Sequence, residues 1–219
     1  MKLLLATRSV DKAAEIRRIL AVVPGLELLD LTTAGIPETE EEEGIEAFET
    51  FEENAAAKAR YFARQSGLAT VADDSGLVVD PLDGRPGVRS KRFSPRGRVL
   101  SGLERDRANN EYLLELLGDL ALSRRTARYV CVAALVGGEQ GDASFRGEAE
   151  GLILGRPRGS EGFGYDPLFF DPALGRTFAE IPREEKNRRS HRGRAFQAVA
   201  EHLRTLQAGV HGTGGADWP

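Results

Sequence analysis

The chain has 219 residues, 41% hydrophobic and 29% charged, with a formal net charge of −4. That size suits one large domain or two small lobes, and the composition is that of an ordinary globular protein. The charge balance gives no global reason to expect a nucleic acid or membrane partner.

The N-terminal run KLLLAT, residues 2–7, predicts a short buried strand. In DKAAEIRRILAVV the apolar residues Ile16, Ile19, Leu20 and Val23 recur at helical spacing, and Pro24-Gly25 ends the helix. LELLDL predicts a second strand. An acidic stretch follows, then Thr50 and Glu53 form a capping box for a helix closed by Gly67. LATVA and LVVD predict two strands, with a turn at Asp73-Asp74-Ser75-Gly76 between them. PLDGRPGVRSKRFS reads as a Gly/Pro loop, and NNEYLLELLGDL as a helix turning Leu113, Leu114, Leu116 and Leu117 to the core. ARYVCVAALV and DASFRGEAEGLIL predict two strands joined at Gly137-Gly138. Residues 185–207 read as one helix with Phe196, Val199 and Leu203 on one side, and 208–219 as a flexible tail. Strands alternating with helices predict an α/β protein with a mixed sheet.

The single cysteine, Cys131, excludes an intrachain disulfide, and its apolar surroundings read as those of a structural thiol. No apolar run could span a bilayer, and the N-terminal one is too short for a signal peptide, so a cytoplasmic protein is expected. Charge is segregated along the chain. Nine glutamates and no basic residue lie between Glu38 and Glu53, and eight lysines and arginines lie in 85–107. Six more basic residues and His191 fall in 183–194. Such clusters can bracket a metal-bound polyanion or can be solvated faces.

Four segments at the ends of apolar runs carry candidate chemistry. ATRSVDK pairs Thr7 with Lys12 at a helix start, a possible phosphate cradle that is not a P-loop. Asn54 and Lys58 are four apart on one helix face beside the acidic stretch. Asp73 and Asp74, with one loop glutamate, suit Mg²⁺, and a carboxylate beside a metal-bound water can take its proton. In GSEGFGYDP the glycines allow close backbone approach, and Phe163 and Tyr165 can stack on a flat ring; Lys186, His191 and Arg192 can donate to phosphate or to base carbonyls. Taken singly, each has an ordinary alternative: a capped helix start, an exposed lysine, an Asx-type turn, core aromatics.

Taken together, these segments resemble, in order and spacing, the inosine/xanthosine triphosphate pyrophosphatases, or dITP/XTP diphosphatases. The matching stretches are LLLATRSVDKAAEI, TFEENAAAKARYFA, ADDSGLVVDPLDGRPGVRSKRFS, RGSEGFGYDPLFFDP and AEIPREEKNRRSHRGRAF, spanning residue 3 to about 200. The resemblance implies an elongated α/β fold of two lobes with the active site in a cleft, residues 1–207 forming one unit. It implies a homodimer, and the charge balance adds no stable nucleic acid partner and no membrane. The implied reaction hydrolyses ITP, dITP and XTP to the monophosphate and pyrophosphate, with Mg²⁺.

Carried over by motif, Thr7, Arg8, Ser9 and Lys12 form the first phosphate loop, and Asn54 and Lys58 contact substrate. Asp74 is the general base and a metal ligand, with Asp73 beside it and Ser75 on the substrate. Phe163 stacks on the base against Gly164, Tyr165 and Asp166. Lys186, His191 and Arg192 read base and phosphates. Three departures stand out. Ser9 replaces the family's asparagine. Placing the metal glutamate two residues before a glycine gives Glu42, with Glu41 and Glu43 open because this stretch is longer than usual. VRSKRF adds charge where aromatic and alanine residues are more usual. Two rival readings are a non-catalytic nucleotide- or RNA-binding module, against which the central carboxylates argue, and an aspartic protease, whose paired Asp-Ser-Gly motifs this chain has only once.

Overall fold

A computed structural model describes residues 1–137 and 141–211. Its centre is a seven-stranded sheet in the order β2-β1-β3-β4-β5-β6-β7. The strands are β1 (Lys2–Leu5), β2 (Glu27–Asp30), β3 (Thr70–Val79), β4 (Thr126–Val136), β5 (Ala143–Ile153), β6 (Phe169–Asp171) and β7 (Arg176–Thr177). β1 pairs in parallel with β2 and β3, and every later pairing is antiparallel. The mixed sheet is as predicted.

Among the described residues five α-helices flank it: α1 (Val10–Leu20), α2 (Phe51–Ser66), α3 (Gly102–Leu117), α4 (Arg183–Arg189) and α5 (His191–His211). Thr50 caps α2 by accepting from the Glu53 amide, and Gly67 closes it in the left-handed conformation at φ 68°. Side chains alternate along β4. Cys131, Ala133 and Leu135 pack with Ile16, Ile19, Phe196, Val199 and Leu203 of α1 and α5. Val130, Val132 and Ala134 pack with Ala55, Ala59 and Phe62 of α2 on the other face. Beyond Gly76 a third core forms from Leu77, Val79, Tyr129, Phe169 and Phe178 with Leu113 and Leu117 of α3.

Several expectations need correction. β3 is one unbroken strand through Asp73 and Asp74, in full register with β4 from Thr70↔Val136 to Val79↔Ala127. The predicted turn is absent because β4 satisfies the backbone throughout. Gly76 is needed for packing instead: a Cβ there would lie 2.3 Å from the Gly87 carbonyl oxygen and 2.4 Å from Ser90 Oγ. α3 starts seven residues before Asn109, at Gly102, in a polar stretch whose Leu103 is exposed. Leu116 is also exposed, since Leu113 and Leu117 define the buried stripe. The predicted helix over 185–207 is two helices, broken at Ser190, where ψ is 158°. The chain is still helical at 208–211, while residues 212–219 and Gly138 lie outside the described residues.

Candidate active site

β1 pairs with β3 only at Leu4↔Thr70 and Leu5↔Val71. The chain then leaves the sheet through Thr7–Ser9, so the edge of β3 from Asp73 onward lacks β1 as a neighbour. This is the crevice at the carboxyl end of a parallel strand, where α/β sheets take ligands. Ser9 caps α1 by accepting from the Lys12 amide at 3.4 Å, and the Ser9 amide donates to Thr7 Oγ1 at 3.2 Å. The cap aims Lys12 back at β3.

Asp73 is fully buried, and Lys12 Nζ lies 3.0 Å from its Oδ2. Arg192 Nε lies 3.6 Å from the same oxygen, and Ser75 Oγ donates to it at 3.2 Å. Burial alone would raise the Asp73 pKa, but Lys12, Arg192 and Lys58 hold it far below the carboxylate range. Its Oδ1 is buried without a hydrogen-bond partner. Asp74 faces α2 instead. Its Oδ2 accepts from Asn54 Nδ2 at 3.0 Å and its Oδ1 from the Ser75 amide at 2.9 Å. Burial dominates here, and pushes the Asp74 pKa up to about 6 against the pull of Lys12 and Lys58.

Asn54 also donates to the Phe48 carbonyl at 3.1 Å and accepts from the Phe48 amide at 2.9 Å. It thereby ties the end of the acidic stretch to Asp74. Two residues earlier, Glu46 is ion-paired with Lys58. Although burial opposes its ionisation, Lys58 and then Lys12 hold its pKa down. Glu42, the expected metal glutamate, is engaged elsewhere. Arg8 donates to its two carboxylate oxygens at 2.6 and 3.0 Å, and to the Ile36 and Pro37 carbonyls at 3.1 and 2.8 Å. The loop acid that faces the crevice is Glu46. Glu41 lies beside Tyr61, and the Glu43 side chain lies outside the described residues.

A buried ion network continues from Asp73 across the α1/α5 side. Glu15 accepts from Lys186 Nζ at 2.9 Å and from Arg192 Nη1 at 2.6 Å. Lys186 also donates to Asp166 Oδ2 at 2.6 Å, and Arg192 Nη2 to Ser75 Oγ at 2.8 Å. The Phe163 ring roofs this network, 4.7 Å from Lys186 Nζ and 5.6 Å from the Arg192 guanidinium carbon, in cation–π contact. Glu15, Glu46 and Tyr129 were not singled out in the sequence. Glu15 gave one signal, an acid beside Ile16 on the buried stripe of α1.

Other expected wall residues sit deeper. Tyr165 is buried and donates to the Ser90 carbonyl at 2.9 Å, which makes it a core residue. Asp166 is buried under Phe163, accepting from its amide at 2.9 Å. His191 is buried, its ring stacked on Tyr129 with centroids 4.5 Å apart, and burial with the nearby Arg192 keeps it neutral. Its Nδ1 has no partner. Lys91 of VRSKRF feels the same field: burial, then Arg105 and Lys12, lower its pKa.

Four of the crevice cations are thus already paired: Lys12 with Asp73, Lys58 with Glu46, Lys186 with Asp166 and Glu15, Arg192 with Glu15. An oxygen-ligated divalent cation fits the partly desolvated Asp74 and the nearby Glu46. Among the described residues no group of three potential ligands is preassembled, so such a cation would be completed by water or by a bound ligand.

Amines and acids at a strand end, beside an aromatic shelf, make this an α/β protein with a polar ligand crevice. The chain belongs to the Ham1 family, whose model matches residues 3–202. It is 48% identical over 206 residues to a dITP/XTP pyrophosphatase of Frankia alni, covering 94% of this chain and 98% of the relative. It is 46% identical over 202 residues to a dITP/XTP pyrophosphatase of Geobacter sulfurreducens, covering 92% and 96%. The fold matches the structure of a HAM1 protein from Coxiella burnetii at TM-score 0.80 and 36% identity, covering 94% of this chain and 99% of that one. Among the described residues no helix is long and apolar enough to cross a membrane.

Proposed function

We propose that this chain hydrolyses dITP, ITP and XTP to the monophosphate and pyrophosphate, removing deaminated purine nucleotides from the pool. The observation that carries this reading is Asp74: a buried carboxylate in mid-β3, oriented by Asn54 and the Ser75 amide, with its pKa raised to about 6. A base tuned toward the working pH is what proton abstraction from water requires. The names of the relatives in Frankia and Geobacter supply the substrate class. Mg²⁺ dependence, a homodimer and a cytoplasmic location belong to the same reading and rest on the family resemblance.

Asp74 and Glu46 would hold Mg²⁺, which supplies neutralisation of phosphate oxygens in phosphoryl transfer. Lys12 and Lys58 exchange part of their pairing with Asp73 and Glu46 for phosphate oxygens. Asp74 accepts the proton of the attacking water, and Asn54 keeps its carboxylate aligned. Phe163 offers its free face to the purine. Arg192 and Lys186 support the opposite face of that ring, and donors at the rim of the shelf would suit the six-position carbonyl of hypoxanthine and xanthine and leave the amine of adenine unpaired.

Pyrophosphate release from dITP, XTP, ITP, GTP and ATP, with Mg²⁺ and with excess EDTA, tests this reading. The expected result is release from dITP, ITP and XTP, abolished by EDTA. Equal rates on ATP and ITP would overturn the selectivity, and no release from any substrate would overturn the activity.

A further inference from the structure

Helix α3 turns Leu113 and Leu117 to the core, and its polar face grips the loop that carries Phe163. Asp106 and Asn110, one turn apart on α3, reach the same residue of that loop. Asp106 Oδ2 accepts from the Gly164 amide at 2.8 Å, and Asn110 Nδ2 donates to the Gly164 carbonyl at 3.0 Å. On the other side of Phe163, its own amide donates to Asp166 Oδ2 at 2.9 Å. The peptide groups before and after Phe163 are therefore both anchored. The turn is held in a shape that only small residues follow: Gly162 has φ 75° and Gly164 φ 63°, and a Cβ on Gly162 would meet Asp166 Oδ2 at 2.1 Å.

Between these two residues, Asn109 faces the opposite loop. It donates to the Ser90 and Lys91 carbonyls at 3.3 and 3.2 Å and accepts from the Ser94 amide at 2.8 Å. Tyr165 closes the frame by donating to the Ser90 carbonyl. One helix thus fixes the distance between the basic loop at 90–94 and the aromatic shelf at 163.

We propose that Asp106 and Asn110 are positioning residues for base recognition: they set the height and tilt of the Phe163 ring above Lys186 and Arg192. This deepens the reading of the crevice as a purine nucleotide site and rests on it. The two side chains touch the loop backbone and leave the phosphate end, at Lys12 and Asp74, unaltered. Their loss is expected to weaken binding of ligands that carry a base and to spare ligands that do not. Ring stacking gains most from a shelf fixed in advance, because the ordering cost then falls outside the binding step.

The test is calorimetric titration of dIMP and, separately, of pyrophosphate into the full chain, with Mg²⁺ present, for wild type, Asp106→Ala, Asn110→Ala and Asp106→Asn. The dIMP Kd is expected to rise about tenfold in either alanine variant, the scale of one lost hydrogen bond to a buried loop, with pyrophosphate affinity within about twofold. Asp106→Asn should restore most dIMP affinity, because its amide oxygen still accepts from Gly164. In turnover of dITP the alanine variants should raise KM and leave kcat within about threefold. Parallel weakening of both ligands, or unchanged dIMP binding in both alanine variants, would overturn the proposal. Wild-type protein that binds pyrophosphate but not dIMP would overturn the nucleotide reading itself.

Discussion

Asp73 and Asp74 are neighbours in the chain and face opposite sides of the sheet. Strand alternation separates their side chains, so each acquires its own environment. Asp73 lies under Lys12 and Arg192 on the α1/α5 side, and Asp74 lies against Asn54 of α2. One acid is held ionised by two cations, and the other is desolvated without a direct cationic partner. Divergent environments for two carboxylates are how one site obtains both a fixed charge and a proton acceptor.

Asp74→Asn should lower kcat by roughly a hundredfold or more, the usual scale for a lost general base. Its stability relative to wild type should be higher at neutral pH than at low pH. The folded-state pKa of Asp74 is raised from 3.8 to about 6, so the native state holds this proton more tightly than the unfolded chain. The stability this provides is present at low pH and is lost as pH climbs through that window. At pH 7.5 the neutral amide escapes a penalty of roughly 2–3 kcal/mol, and near pH 4 the advantage disappears. Denaturant titrations at both pH values check this. An equal stability difference at the two would remove Asp74 as the cause.

Asp73→Asn should behave in the opposite way. Its pKa is depressed in the folded state by Lys12 and Arg192 despite its burial. Its contribution to stability is therefore present above the ordinary carboxylate pKa and is lost as pH falls below it. Removing the charge leaves buried Arg192 and half-buried Lys12 short of a partner, at a cost on the order of 3 kcal/mol or more at neutral pH. Thermal melts at pH 7.5 measure the loss, and a melting temperature within a degree of wild type would show that Glu15 alone suffices for Arg192.

The two acidic-loop glutamates separate cleanly in a metal titration. Glu46 faces Lys58 and the Asp pair, while Glu42 is forked by Arg8. Glu46→Gln should raise the Mg²⁺ concentration for half-maximal activity by about tenfold or more, the scale of a lost carboxylate near a metal. Glu42→Gln should leave that midpoint within about twofold and loosen the 36–42 loop instead. The reverse order would return the role to Glu42.

Much of the architecture was readable from local pattern: helical periodicity in α1, the Thr50 cap and Gly67 stop of α2, and the apolar hairpin β4–β5 all appear where spacing puts them. The break predicted at Asp73-Asp74 failed because a charged pair followed by Ser-Gly reads as a turn, whereas β4 pairs with β3 without interruption. Periodicity carries no information about a partner strand about sixty residues away. The choice of Glu42 failed to face the crevice for a related reason. Counting from Gly44 ignores the inserted residues, but Asn54 reaches both Phe48 and Asp74 and so places Glu46 two residues from that tie. Tyr165 and His191 were legible as aromatic and titratable, not as buried, because burial depends on Ser90 and Tyr129 from distant segments.

Ser9 gives a prediction on which the structure and the family pattern pull in different directions. Its hydroxyl caps α1, and its amide closes the loop on Thr7. The resemblance places asparagine here. Asparagine caps helix starts as well as serine does, so Ser9→Asn should change stability by no more than about 0.5 kcal/mol. The longer amide carries a donor farther from the backbone, in the loop where phosphate is expected. KM for dITP should fall by about threefold to tenfold, one added hydrogen bond to a charged group, with kcat little changed. Steady-state kinetics on the folded variant decide it. A KM equal to that of wild type would assign triphosphate holding in this loop to its backbone amides and Lys12, and would make Ser9 a helix cap only.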